Sequence, residues 1–136
     1  MAAATVHSGV WTTMWFAKKA STAFAKNQFV DLVSGFIQPS TSSSVQILGL
    51  NQDTTVTSSS SNYAATTKLP VLVPRSQGVV RATATNTLVS TDVGSDFDLS
   101  DSQTVDHGAT TNNSIKCVGF VSATEGLFTI NDPDVL

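Results

Sequence analysis

The sequence predicts an all-β fold, a small barrel or a sandwich, and three observations carry that expectation. Charged residues make up only 12% of the chain, against roughly 25% in ordinary soluble domains. The chain is therefore poor in Lys and Glu, which favour helices, while its Thr and Val favour strands. Short runs rich in β-branched residues recur between loops marked by Gly, Pro, Ser and Thr, the pattern of a sandwich or small barrel. The third observation is the stretch 69–85, in which Val80, Ala82 and Ala84 alternate with Arg81, Thr83 and Thr85. It reads as two strands joined by a turn that Pro and Gly mark.

Taken in order, residues 1–24 read as an N-terminal arm and residues 25–136 as a single β domain. Residues 1–10 are small and polar, as in a loose tail. The next segment holds both tryptophans, Trp11 and Trp15, with Phe16 beside them. Phe16, Ala20, Ala23 and Phe24 would share one face of a helix capped by Thr12 or Thr13, so a short helix and an extended arm both stay open. Residues 26–37 carry apolar side chains on both faces around a turn at Ser34 and Gly35, which suits a strand covered on both sides or crossing a barrel corner. Residues 39–44 form a loop, and residues 45–50 a short strand in which Gly49 marks a bulge or a close backbone approach. Residues 51–57 read as an edge strand or loop, and the serine run 58–61 as a surface connection. Residues 88–90 add a short strand before an acidic run, and 107–113 a turn-rich loop. A hairpin closes the chain, its strands at 115–121 and 127–130 joined through residues 122–126.

Length and charge bound the function. A chain of 136 residues and 14.2 kDa fits one domain and buries a core without metals or disulfides. The net charge of -3 and pI near 5.0, with scattered basic residues, argue against direct nucleic-acid binding. The single cysteine, Cys117, cannot form an intrachain disulfide and sits in an apolar strand, where a free thiol behaves as a small core residue. No apolar run reaches the roughly 20 residues of a membrane helix. The first residues lack the basic start and apolar core of a signal peptide, so synthesis in the cytoplasm is expected. Asp92, Asp96, Asp98 and Asp101 are close enough to suggest a calcium loop, but the EF-hand glycine and terminal glutamate are missing, and the aspartates read as loop-solvating and strand-ending. His7 and His107 lack the close Cys and His neighbours of a zinc site. With no nucleophile elbow and no phosphate-cradling loop, the expectation is a protein that is not an enzyme and needs no cofactor or metal.

Three stretches carry a family resemblance: Ala23-Phe24-Ala25-Lys26-Asn27-Gln28-Phe29-Val30-Asp31-Leu32 leading to Ser34-Gly35-Phe36-Ile37-Gln38-Pro39; Val45-Gln46-Ile47-Leu48-Gly49-Leu50; and Lys116-Cys117-Val118-Gly119-Phe120-Val121 with Gly126-Leu127-Phe128. With them, most of residues 20–131 resembles the small β-rich head decoration, or cement, proteins of tailed bacteriophages. The resemblance implies a β-barrel or β-tulip-like domain on the outside of an assembled capsid, a homotrimer whose partner is the major capsid protein, and a place in the virion, with no membrane involved. The concentration of anchor-type side chains in one terminal segment makes Trp11, Trp15 and Phe16 the expected buried anchors on the capsid and Lys18 and Lys19 the rim charges. Residues 131–136 are a second candidate arm. Two other expectations compete: a tail-tube, tail-tip or fibre module, and a carbohydrate- or host-surface-binding module using Tyr63 as its aromatic platform.

Overall fold

The computed structural model describes residues 4–52 and 54–131. Nine strands form it: β1 Thr5–Ala17, β2 Phe29–Val33, β3 Phe36–Pro39, β4 Gly49–Asn51, β5 Lys68–Thr85, β6 Asp96–Asp101, β7 Thr104–Asp106, β8 Ile115–Ser122 and β9 Glu125–Ile130. The all-β class is as expected, and of the two forms open for the N-terminal segment the extended one is found. Residues 5–10, expected as a loose tail, are part of β1, and the expected second half of the arm contributes no helix among the described residues.

β5 organises the chain. Residues 69–85 are one continuous strand, not two strands with a turn between them. Its C-terminal half closes a five-stranded barrel in the order β5-β7-β6-β8-β9 and back to β5. The β5–β7 pair is parallel and the other pairs are antiparallel. Val80, Ala82, Ala84, Phe97, Leu99, Val105, Ile115, Cys117 and Phe128 fill this barrel, and Phe29, Ile47 and Leu50 join the same core. The N-terminal half of β5 is the centre of a curled sheet, β1-β5-β4-β2-β3. Its two outer strands meet where Lys18 bridges Ile37 and the Lys19 amide donates to the Ile37 carbonyl at 2.9 Å. Phe24, Val30, Ile37, Leu48, Val56, Leu69, Val71 and Val73 form the core of this second ring.

The fully buried side of β5 changes between its halves, although Leu72 in the first half already packs on the same core as the buried residues of the second. Leu69, Val71 and Val73 face the N-terminal ring, whereas Val80, Ala82 and Ala84 face the barrel. The switch falls at Gln77, whose φ is 51°, opposite irregular pairing with β1 from Val6 to Trp11. Bulged pairing within a continuous strand stands where a turn was expected.

Pro70 and Pro74 fit inside this strand for a reason of phase. The Lys18 amide donates to Thr67 at 3.0 Å, and with an unbroken register from Trp11 to Ala17 the narrow hydrogen-bonded pairs are those of Thr12, Met14 and Phe16. Pro70 and Pro74 lie opposite Trp15 and Trp11, in the other phase, so no β1–β5 rung is lost.

Elsewhere the boundaries tighten. The strand expected at 45–50 reduces to Gly49–Asn51, with Ile47 in the barrel core and Leu48 in the other. Gly49 is a close approach as expected, since a Cβ there would lie 2.1 Å from the Leu72 carbonyl oxygen. In place of the strand expected at 88–90 there is a 3-10 turn, Ser90–Asp92. The β2–β3 hairpin turns at Ser34 and Gly35, both at positive φ, and the last hairpin is tighter than expected, with Ala123 and Thr124 between its strands.

Candidate functional site

The five expected contact residues lie on or just after β1, and the fold gives them different surroundings. Trp11 packs against the barrel core. Its Nε1 donates to the Ser8 carbonyl at 2.9 Å, and Gly78 leaves room for its ring, which a Cβ would meet at 3.1 Å. Phe16 packs with Met14 onto the core of the N-terminal ring. Lys18 is fully buried. Its Nζ donates to the carbonyls of Tyr63 at 2.7 Å and Lys19 at 3.3 Å and lies 5.9 Å from the Tyr63 ring centroid. Burial pushes its amine below the usual lysine range. The expectation of a rim charge at Lys18 is thus corrected: its aliphatic stem and ammonium cap the seam of the ring.

Trp15 and Lys19 are the two that face solvent. Trp15 is 62% exposed and stands across from Pro70. Near it, the Thr13 hydroxyl donates to Gln52 Oε1 at 3.1 Å. Lys19 is exposed, with its Nζ 3.5 Å from Gln38 Oε1. The backbone adds to this surface. Since Thr12, Met14 and Phe16 bond to β5, the amides and carbonyls of Thr13, Trp15 and Ala17 point to the other edge. Among the described residues no strand pairs along that edge before the bridge at Lys18. An edge strand of this length, uncharged from Ser8 to Ala17 and regular from Trp11 onward, has none of the usual protection against pairing with another chain in its second half.

The barrel carries a second apolar surface. The backbone amides of Leu88 and Gly94 donate to Ala123 and Cys117, at 2.9 and 2.7 Å, and hold residues 88–94 alongside β8. Val89 and Val93 on this segment, with Val118, Phe120 and Val121 on β8, are all exposed. Sequence reasoning missed this surface. The signal was the run Val118-Gly119-Phe120-Val121, which breaks the in-out alternation of a half-buried strand.

The acidic run does structural work. Asp98 is buried and accepts from the amides of Thr111, Asn112 and Asn113 at 3.2, 2.7 and 2.7 Å. Asp92 accepts from the Val89 amide and lies 2.8 Å from His107 Nε2. Lys116 and Asn131 hold the Asp96 carboxyl below the usual range, and Asp101 accepts from the Gln103 amide. Among the described residues no three or more His, Cys, Asp or Glu side chains converge as metal ligands. Tyr63 is half-buried beneath Lys18, against the N-terminal core, and not a free platform. A cleft of about 150 Å³ lies where the two rings meet, lined by Pro74, Arg75, Gln77, Gly78, Thr129 and Ile130. Of the second candidate arm, residues 132–136 lie outside the described residues. No protein-family model, curated protein or solved structure matches the chain.

Proposed function

We propose that this chain is a non-enzymatic structural protein that binds the outer surface of an assembled phage capsid and stabilises contacts between coat subunits. Its partner in this reading is the major capsid protein, and it acts as a homotrimer on the exterior of the virion. The observation that carries the reading is the β1 face. A tryptophan exposed to 62% stands on a strand that β5 pairs along its length and whose outer edge, among the described residues, is unpaired up to Lys18. Large aromatic side chains on rigid supports are efficient binding anchors, since little motion is lost when they dock. A part that binds only the assembled shell stabilises the shell by mass action, and three linked copies turn modest contacts into strong attachment.

The test is the ratio of this protein to the major coat protein in purified particles, by quantitative mass spectrometry. A ratio on the order of one per coat subunit is expected for shell-wide symmetry. A handful of copies would assign the chain to a tail or fibre instead, and absence from particles would end the reading. Trp15→Ala then tests the anchor. Exposed substitutions leave stability within about 0.5 kcal/mol, so occupancy on particles should fall while the melting temperature holds. Deleting residues 1–19 is a poorer test, because it removes β1 from beside β5 and Lys18 from the seam.

A further inference from the structure

The single bridge that closes the N-terminal ring also fixes which side chains lie beside one another across it. Lys18 pairs with Ile37 in parallel, so Ala17 stands next to Phe36, one position back on both strands, and Lys19 next to Gln38, one position forward. The approach of Lys19 Nζ to Gln38 Oε1, at 3.5 Å, agrees with that register. Lys18 and Ile37 are fully buried on the inner side. Their neighbours, Ala17 and Lys19 with Phe36 and Gln38, therefore face outward.

The other ladders extend this row. Phe36 pairs with Val33 on β2 and Ala17 with Lys68 on β5, while Trp15, two residues before Ala17 and on the same face, pairs with Pro70. Val33 and Phe36 are 46% and 39% exposed, and in the turn between them a Cβ on Gly35 would meet nothing within 4 Å. Trp15, Ala17, Phe36 and Val33 thus form one apolar band over the outside of β1, β3 and β2, with the seam running beneath it. Its rim is basic. Lys19 and Lys68 are exposed and form no ion pair with a described residue, while Asp31, across from Gln38 on β2, accepts from the Ser40 and Ser44 hydroxyls.

We propose that the coat protein docks across the seam: a coat surface of apolar side chains edged by carboxylates covers Trp15, Phe36 and Val33 and meets Lys19 and Lys68 at the rim. Continuity with the Trp15 contact selects the coat as occupant, and two cations without carboxylates call for acidic groups opposite them. The inference deepens the capsid reading above and rests on it. It also carries a consequence that Trp15 alone does not. Seating on β1 and β3 together holds the one-bridge gap of the ring shut, so the docked chain opens there less often than the free chain.

Titration of the purified full-length chain onto particles assembled without it decides the matter, with Phe36→Thr and Val33→Thr beside the parent. Thr keeps the strand preference and both sites are exposed, so melting temperatures should match the parent. Phe36→Thr should weaken attachment by roughly 30-fold, as for a central anchor, and Val33→Thr by a smaller factor. The double variant Lys19→Glu, Lys68→Glu should also bind more weakly, and added salt should weaken the parent more than this variant. Phe120→Thr, exposed on the barrel, should bind like the parent. Amide exchange in residues 17–19 and 36–38 should slow on the particle, with residues 125–130 unchanged. A Phe36→Thr chain that binds like the parent, a Phe120→Thr chain that loses as much, or exchange at the seam that is equal in free and bound chain each overturns the inference and leaves the capsid reading standing. A parent that does not bind particles ends both.

Discussion

The barrel and the N-terminal ring share β5 but are closed by different means. Every neighbouring pair in the barrel is joined by a strand ladder. The N-terminal ring has ladders on four strand pairs, and its last gap is spanned by one bridge at Lys18 and Ile37. A closed ladder distributes stability around the circuit, whereas a bridge beside a buried amine is where opening starts. Trp15 stands away from that bridge, on the part of β1 whose ladder to β5 is unbroken.

The largest effect is expected from the barrel. Phe128→Ala removes a fully buried ring and should cost about 3–5 kcal/mol, read as a lower denaturation midpoint in one cooperative transition. Ile37→Ala, at the seam, should cost about 2–5 kcal/mol and should act unevenly: amide exchange should accelerate in β2 and β3 while β8 and β9 keep their protection. Equal acceleration in both rings would remove the distinction between them.

Lys18 sharpens the comparison through pH. Its folded amine titrates below the ordinary value of 10.5, so between the folded value and 10.5 the unfolded chain holds a proton that the folded chain does not. Stability from this group rises with pH across that window and is lost as pH falls through the folded value. Denaturation midpoints should therefore climb toward pH 10.5 more steeply in the parent than in Lys18→Met, and parallel curves would exclude a strained amine at the seam. The smallest effect belongs to the exposed pair of Arg81 and Glu125, whose nitrogen and oxygen lie 2.6 Å apart. The Arg81 hydrogen bond holds the Glu125 carboxyl below the usual range, so any contribution is present at neutral pH and lost on acidification. Glu125→Gln should nevertheless leave the melting temperature unchanged within error, since solvent screens surface pairs.

The sequence was most readable where local chemistry and final structure agree. Ser34 and Gly35 announce the β2–β3 turn, and the apolar arms of β8 and β9 announce their hairpin. It misled at residues 74–78, where Pro, Ser, Gln and Gly have the composition of a turn and the fold uses them for a bulge inside one strand. Nothing local distinguishes these outcomes; the prolines are tolerated because their phase relative to β1 spares the ladder, a fact of pairing. Of the candidate site, the gathering of aromatic residues in the segment that forms β1 was legible. Which side chains stay outside was not: Trp11 and Phe16 are drawn onto two different cores, and Lys18 is buried by a contact with Tyr63, 45 residues away.

The one thiol of the chain lies inside the barrel. Cys117 is fully buried in the barrel, and burial raises its pKa, so an aqueous thiol reagent reaches it only when β8 leaves its place. The rate at which such a reagent labels the native protein is a clock for barrel opening, running without any introduced probe and silent to whatever happens at the seam of the other ring.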